Sequence, residues 1–222
     1  MMNKIEHVDL SRRVYGRLKE MILTGELNPG EKIVQEKLAQ AIGVSRTPLL
    51  KALQMLEHEM LVESVPRRGM YVKEMDDSEI IDAFDCREGL EGIAVRLTTE
   101  RATEREIQEL KDLFEPFRNM REIPIARYQK NDQRFHSALI TLSSNAIIKR
   151  IEVVGNIHII SYNRGLIRGP EETLAEHFAI LEAIEERNGD LAEQRLREHL
   201  RLSRDRVLAA IKEGQTVKAT GS

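Results

Sequence analysis

Thiol chemistry is almost absent from this chain: its 222 residues hold one cysteine, Cys86. That count excludes an intramolecular disulfide and any zinc finger built on several cysteines. Cys86 falls among apolar residues on an expected helix. The sequence reads it as a buried structural thiol, with a reactive thiol as the alternative. Long apolar runs are missing too. No segment approaches bilayer-spanning length and the N-terminus has no signal-peptide block, so the expected location is cytoplasmic, with no membrane partner. There is no internal repeat and no low-complexity tract. The net charge of −3 argues against indiscriminate binding to polyanions.

What is present is enough for a real core: 41% of residues are hydrophobic and 32% charged. The length suits one large domain or two modest ones. Residues 1–75 carry twelve Lys/Arg against ten Asp/Glu, and the remainder carries twenty-two against twenty-seven. This mild asymmetry fits a nucleic-acid-binding head on an acidic body.

The chain changes character at "KEMDDSE". Asp76, Asp77 and Ser78 suit a helix start, so a short hinge leading into a helix is expected there. Upstream, Val14, Leu18, Met21 and Ile22 recur at helical spacing until "LNPGEKI" breaks the pattern. Leu38, Ala39 and Ile42 mark a short second helix, Gly43 a tight turn, and Ser45 an N-cap. Leu49, Ala52, Leu53 and Leu56 follow on one face of a third helix. "LVESVP" and "GMYVKE" then read as two strands around "RRG". Helix, turn, helix and hairpin make a winged helix-turn-helix. Downstream, periodicity predicts six helices, over 77–101, 103–121, 124–143, 145–164, 171–188 and 190–212. Ile80, Ala83, Phe84, Leu90, Ile93, Ala94 and Leu97 form the apolar stripe of the first. The expected fold class is mainly α: the winged head over 1–75, an antiparallel six-helix bundle over 76–214, and a disordered tail over 215–222.

In a helix-turn-helix the N-terminal end of the second helix enters the major groove. Here that end is "SRTP". Arg46 can fork onto a guanine edge, and Thr47 can reach a base or a phosphate. Arg67, Arg68 and Gly69 form a thin basic wing tip, and Lys51 adds a phosphate contact. Arg12 and Arg13 are weaker phosphate candidates. The bland alternative is a winged helix used for protein contacts, with solvated arginines. The stretch "GEKIVQEKLAQAIGVSRTPLLKALQMLEHEMLVESVPRRGMYV" resembles the DNA-binding domain of GntR-family transcription regulators. That resemblance implies operator recognition through Arg46 and Thr47. Leu50 and Lys51 stand where the family usually has Arg-Glu, and Met60 stands where it usually has glycine.

The second half carries "NDQRFHSAL", in which Asp132 and His136 share one helix face. Alone, the pair reads equally as a surface contact. His177 and His199 lie on two other expected helices, each leaning toward the bundle interior by its leucine spacing. Buried polar groups need partners. A divalent cation satisfies three neutral imidazoles and a carboxylate at once, with Zn²⁺ preferred and Ni²⁺ or Mn²⁺ possible by ligand type. Among the other histidines, His7 and His58 are expected to be exposed, and His158 to be an ordinary helix residue or pocket lining.

The same four positions extend the resemblance. Residues 77–212 are similar to the FadR-type (FCD) ligand-binding domain of this family, in its smaller VanR-like form. Metal-binding members carry Asp-x-x-x-His, then Glu-His-x-x-Ile, then His-Leu, which Asp132, His136, His177 and His199 match in order. The resemblance implies a homodimeric repressor on double-stranded operator DNA, controlled by a small organic acid bound at the metal. Arg87, which begins an Arg-x-x-Leu-Glu match, would hold the effector carboxylate. Its alternative is an ion pair with Glu91. Asn156 and Arg164, on an expected helix that would face the same cavity, are further candidate effector contacts. Two competing functions remain open at this point: a metal-dependent hydrolase, against which the chain has no HExxH motif, and a direct metal sensor.

Overall fold

The computed structural model describes residues 10–151 and 167–213. It divides into two compact units, Met1–Glu74 and Met75–Ser222. The expected helix beyond residue 151, with Asn156, His158 and Arg164 on it, lies outside the described residues, as do His7 and the tail over 215–222.

The first unit contains α1 (Leu10–Leu23), β1 (Lys32–Ile33), α2 (Gln35–Ile42), α3 (Arg46–His58), β2 (Val62–Val65) and β3 (Gly69–Val72). Val14, Leu18 and Ile22 of α1 and Leu49, Leu53 and Leu56 of α3 are all buried, and the two helices pack on each other. Each such side chain contributes about 1.5–3 kcal/mol by leaving water. A polar clamp closes the same seam: Tyr15 donates to Glu59 at 2.7 Å, and Lys19 pairs with Glu59 at 3.0 Å. The strands form an antiparallel sheet in the order β1-β3-β2, with Val62 opposite Val72 and Val65 opposite Gly69. The sequence pattern missed β1, which has only two residues and no room for alternation.

Two helices of the head end on the same device. The amide of Gly43 bonds Gln40 O and that of Val44 bonds Ala39 O, with Gly43 at φ 71°. The amide of Met60 bonds Glu57 O and that of Leu61 bonds Leu56 O, with Met60 at φ 57°. Both are Schellman caps, in which one residue must take the left-handed conformation. Glycine does this freely, but a side chain with a Cβ does not. Met60 therefore occupies a position that favours glycine, the residue the resembled family usually has there.

The second unit contains α4 (Asp77–Arg101), α5 (Glu104–Lys111), α6 (Ile125–Leu142), α7 (Ala146–Arg150), α8 (Pro170–Glu185) and α9 (Gly189–Lys212). Capping boxes start α4 and α5, from Asp76 with Glu79 and from Thr103 with Glu106. The helix expected over 103–121 stops early. Beyond Lys111 the chain turns, and a single 3₁₀ turn covers Glu115–Phe117. Pro116 has no N–H to continue a helix, and the irregular path buries Leu113, Phe114 and Phe117. At the end of α8, Arg187 takes φ 57°, and its guanidinium donates to the carbonyls of Thr99 (3.0 Å) and Ala102 (2.6 Å) at the end of α4.

An ion-pair ladder fixes the direction of α4 against α9. Asp85 pairs with Arg204, Glu88 with Arg201, and Arg96 with Glu193 and Asp190. Numbers rise along one helix as they fall along the other, so the pair is antiparallel. Between the ends, Arg197 lies over Gly92, where a Cβ would come 2.8 Å from its Nε.

Two expectations about α4 are corrected. Cys86 is exposed rather than buried, and Ile93 is 44% exposed. The buried seam runs through Ile80, Ala83, Phe84, Arg87, Glu91, Ala94, Val95 and Thr98. Polar Arg87 and Glu91 occupy two of its turns, which rotates Cys86 and Ile93 outward. No helix among the described residues is long and apolar enough to cross a membrane.

The strained cap makes a direct prediction. Met60 is 38% exposed, so Met60→Gly gives up part of a side chain's burial while removing the left-handed strain at the cap, and the strain is the larger of the two. The substitution should stabilise the chain by about 1 kcal/mol in urea denaturation.

Candidate metal centre

Asp132 and His136 sit one turn apart on the inner face of α6, His177 on α8 and His199 on α9, all buried. One ligand atom from each lies within 4.8 Å of the others. Atoms bound to one zinc ion at about 2.0–2.2 Å stand at most roughly 4 Å apart. A contraction of under about 1 Å would seat an ion there.

The decisive feature is the direction of the protons around His177. Its Nδ1 lies 2.9 Å from the Tyr128 hydroxyl, and that hydroxyl lies 2.8 Å from Thr173 Oγ1. Thr173 gives its own hydroxyl proton to Gly169 O at 3.0 Å. Tyr128 must then donate to Thr173, so its oxygen accepts from His177 Nδ1–H. In the neutral ring that leaves a bare lone pair on Nε2. This atom is buried, makes no hydrogen bond, and lies 2.9 Å from Asp132 Oδ1. Burial pushes His177 away from protonation, against the pull of Asp132. Two acceptors facing each other at that distance repel, and a shared cation removes the repulsion. The donor set fits a divalent metal.

The other two histidines are oriented alike. His136 Nδ1 lies 2.5 Å from Glu91 Oε2, and His199 Nδ1 lies 2.7 Å from Glu176 Oε2. Carboxylates accept, so both Nδ1 atoms donate outward and both Nε2 atoms are left for the centre. Burial likewise pushes His199 well below the ordinary range. Aromatic rings wall the site: Phe114 stacks on His177 at 4.2 Å, and Phe135 meets it edge-on at 5.3 Å.

Among the effector candidates, Arg87 is within the described residues. It is buried, with its Nε bonded to Glu91 at 2.7 Å and its Nη2 3.4 Å from His136 Nδ1. The ion pair with Glu91 is thus present, inside the bundle and not on its surface. Sequence reasoning missed Tyr128, Thr173, Glu176 and Arg168, and gave Glu91 only as a surface partner of Arg87, without its contact to His136. Three of these had a signal. Tyr128 precedes Asp132 by four residues on the same face, Glu91 closes Arg-x-x-Leu-Glu, and Glu176 opens Glu-His. In the head, Arg46, Thr47, Lys51, Arg67, Arg68 and Gly69 are all exposed. Ser45 stands at the N-cap of α3 without a side-chain bond.

Comparison with known proteins gives the same division. Residues 10–72 match the bacterial regulatory proteins of the gntR family, and residues 82–202 match the FCD domain. An HTH-type transcriptional regulator in an unstable DNA locus of Streptomyces ambofaciens is 30% identical, over 86% of this chain and 81% of its own length. The Bacillus subtilis regulator YdhC is 28% identical, over 90% of this chain and 92% of its own. The Escherichia coli repressor RspR is 23% identical, over 86% of each. In fold, a GntR regulator from Rhodococcus sp. RHA1 superposes with a TM-score of 0.76 at 23% identity, covering 90% of this chain and 98% of its own. These relatives are transcription regulators and not enzymes, which removes the hydrolase alternative.

The hydroxyl chain yields a second prediction. Tyr128→Phe leaves a buried His177 N–H without its acceptor. It should cost about 1–3 kcal/mol of stability in chemical denaturation while leaving the ring packing in place.

Proposed function

The chain belongs to the GntR family of bacterial regulatory proteins, with an FCD domain behind its DNA-binding head, and we propose that it is a homodimeric, cytoplasmic repressor controlled by a small carboxylate effector at a metal centre. The single observation that carries the metal reading is the bare, buried His177 Nε2 facing Asp132. Asp132, His136, His177 and His199 would hold the ion, Zn²⁺ by preference. A divalent cation bound by these four groups supplies coordination positions that a carboxylate oxygen can take. The protein's own part is to exclude water with the Phe114 and Phe135 rings and to present three neutral imidazoles in one tautomer.

Arg87, Asn156 and Arg164 are the proposed effector contacts. Glu91 holds Arg87 in the absence of effector, so an effector carboxylate would have to compete with an internal one for the same guanidinium fork. Effector control requires that the ligand bind the operator-competent and operator-incompetent arrangements unequally. The repressor reading is supported by similarity to RspR. The dimer reading is supported by Ile93, a large apolar side chain exposed on the outward face of α4. In each head, Arg46 and Thr47 would read a half-site of a pseudo-palindromic operator, with Lys51, Arg67, Arg68 and Gly69 on the backbone.

Elemental analysis of the purified chain should find about one divalent metal per protomer, and His177→Ala should lose it. A wild-type chain purified in metal-replete medium without metal would sink the reading. Footprinting should protect a site upstream of the chain's own gene or elsewhere in the genome. Arg46→Ala should weaken binding there by about 1–3 kcal/mol if it forks onto a base. Operator release by carboxylate at constant metal marks an effector-controlled repressor, whereas release by metal alone marks a direct metal sensor.

A further inference from the structure

Two arms, one buried and one partly exposed at Glu176, meet the metal centre from different elements and have the same chemical order. In one, Arg87 Nε donates to Glu91 Oε1 at 2.7 Å, and Glu91 Oε2 accepts from His136 Nδ1 at 2.5 Å. In the other, Arg168 Nη2 donates to Glu176 Oε1 at 2.5 Å, and Glu176 Oε2 accepts from His199 Nδ1 at 2.7 Å. Each carboxylate divides its oxygens between a guanidinium and a ligand histidine. The first arm lies on α4 at i,i+4 spacing, and the second joins Arg168 to the middle of α8. Local sequence rules cannot account for the same order arising twice from such different connections.

We infer that Glu91 and Glu176 are positioning residues of the metal centre, acting through His136 and His199, and that Arg87 and Arg168 hold them in place to do so. The inference rests on the metal reading above. Direct ligation by either glutamate is the first alternative. The four mutually close ligand atoms come from Asp132 and the three histidines, and both glutamates stand outside that group on the Nδ1 side of their rings. A purely stabilising ion pair is the second alternative. The Arg87–Glu91 pair is buried, where desolvation nearly cancels the attraction, and the Arg168–Glu176 pair is partly exposed, where an ion pair contributes little, so stability is a poor reason for either. Competition by Arg87 for the His136 ring is the third. Its Nη2 reaches Nδ1 at 3.4 Å, against 2.5 Å from Glu91, so the shorter contact sets the proton on Nδ1.

The consequence is specific. An imidazole that donates Nδ1–H to a carboxylate is locked in one tautomer, in one orientation, with raised basicity at Nε2. His177 reaches the same tautomer through the Tyr128 phenol. All three rings therefore turn lone pairs inward before any ion arrives.

Long-range ¹H–¹⁵N spectra of the full metal-free chain report each tautomer, and chelator competition reports affinity for Zn²⁺. The variants are Glu176→Gln, at the less buried arm, and the double variant Arg87→Met with Glu91→Gln, which strands no buried charge. Glu185→Gln, in an exposed pair with Lys111, is the surface control. The wild type should show Nδ1–H at His136, His177 and His199. Each arm variant should mix the tautomers of its own histidine and weaken Zn²⁺ binding about 10–100-fold, with the control unchanged. Nε2–H at His136 or His199 in the wild type, or wild-type affinity in both arm variants, would overturn the inference while leaving the metal site standing. A wild type that binds no Zn²⁺ would remove the metal reading and this inference with it.

Discussion

The helical unit is organised around one electrostatic problem: the His177 imidazole and the Asp132 carboxylate, both buried, present acceptors to each other at 2.9 Å. Each neighbouring group reinforces that arrangement instead of relieving it. Thr173 spends its proton on Gly169, so Tyr128 must donate to Thr173 and accept from His177. Phe114 stacks on the ring and keeps water out. A protein needing only a stable interior would fill this space with leucine. The surrounding hydrogen bonds hold the lone pair in place, an arrangement that suits the cation proposed for the site.

Much of this was legible in the sequence, for a physical reason. Histidine is uncommon here, and three of its six positions fall at core phases of separate helices, so Asp132, His136, His177 and His199 could be grouped from periodicity. The winged head was equally open to reading, because Gly43, the "RRG" tip and the leucine spacing of α3 each demand a local geometry. The parts that were hidden depend on context. Arg87 and Glu91 look like a solvated i,i+4 pair, and the pattern cannot say that their helix face is the buried one. That error of helical phase also misplaced Cys86 and Ile93. The Leu196–Leu202 bracket around His199 was right about burial but wrong in detail, since Leu196 is buried and Leu202 exposed. The long helix expected over 103–121 already ends at Lys111, and Pro116 keeps it from resuming.

The two faces of α4 do different work. Its outer charges form the ladder with α9, where pairs such as Arg96 with Asp190 are largely solvated. Such pairs contribute little individually, about 0–1 kcal/mol, and they serve register more than strength. Gly92 belongs to the same register, because Arg197 can cross α4 only where no Cβ intervenes. The inner face carries the buried Arg87–Glu91 pair to His136. Sliding α4 by one turn would break the ladder and the arm together, so α9 and its His199 and α4 with its Glu91 are held to one relative position.

This bears on where the stability of the unit comes from. The polar centre is a weak candidate, because desolvation of two arginines, three carboxylates and three imidazoles works against folding. The apolar seam supplies the favourable term instead: Phe114, Phe117, Tyr128 and Phe135 are wholly buried, joined by Ile180, Ile184, Leu196 and Leu200. Aromatic contacts between Phe114, Tyr128 and Phe135 tie the loop after α5 to α6. The core thus carries a polar centre that it does not need for its own cohesion. The inward lone pairs of such a centre suit the cation proposed for it, and cohesion of the fold gives no reason for them.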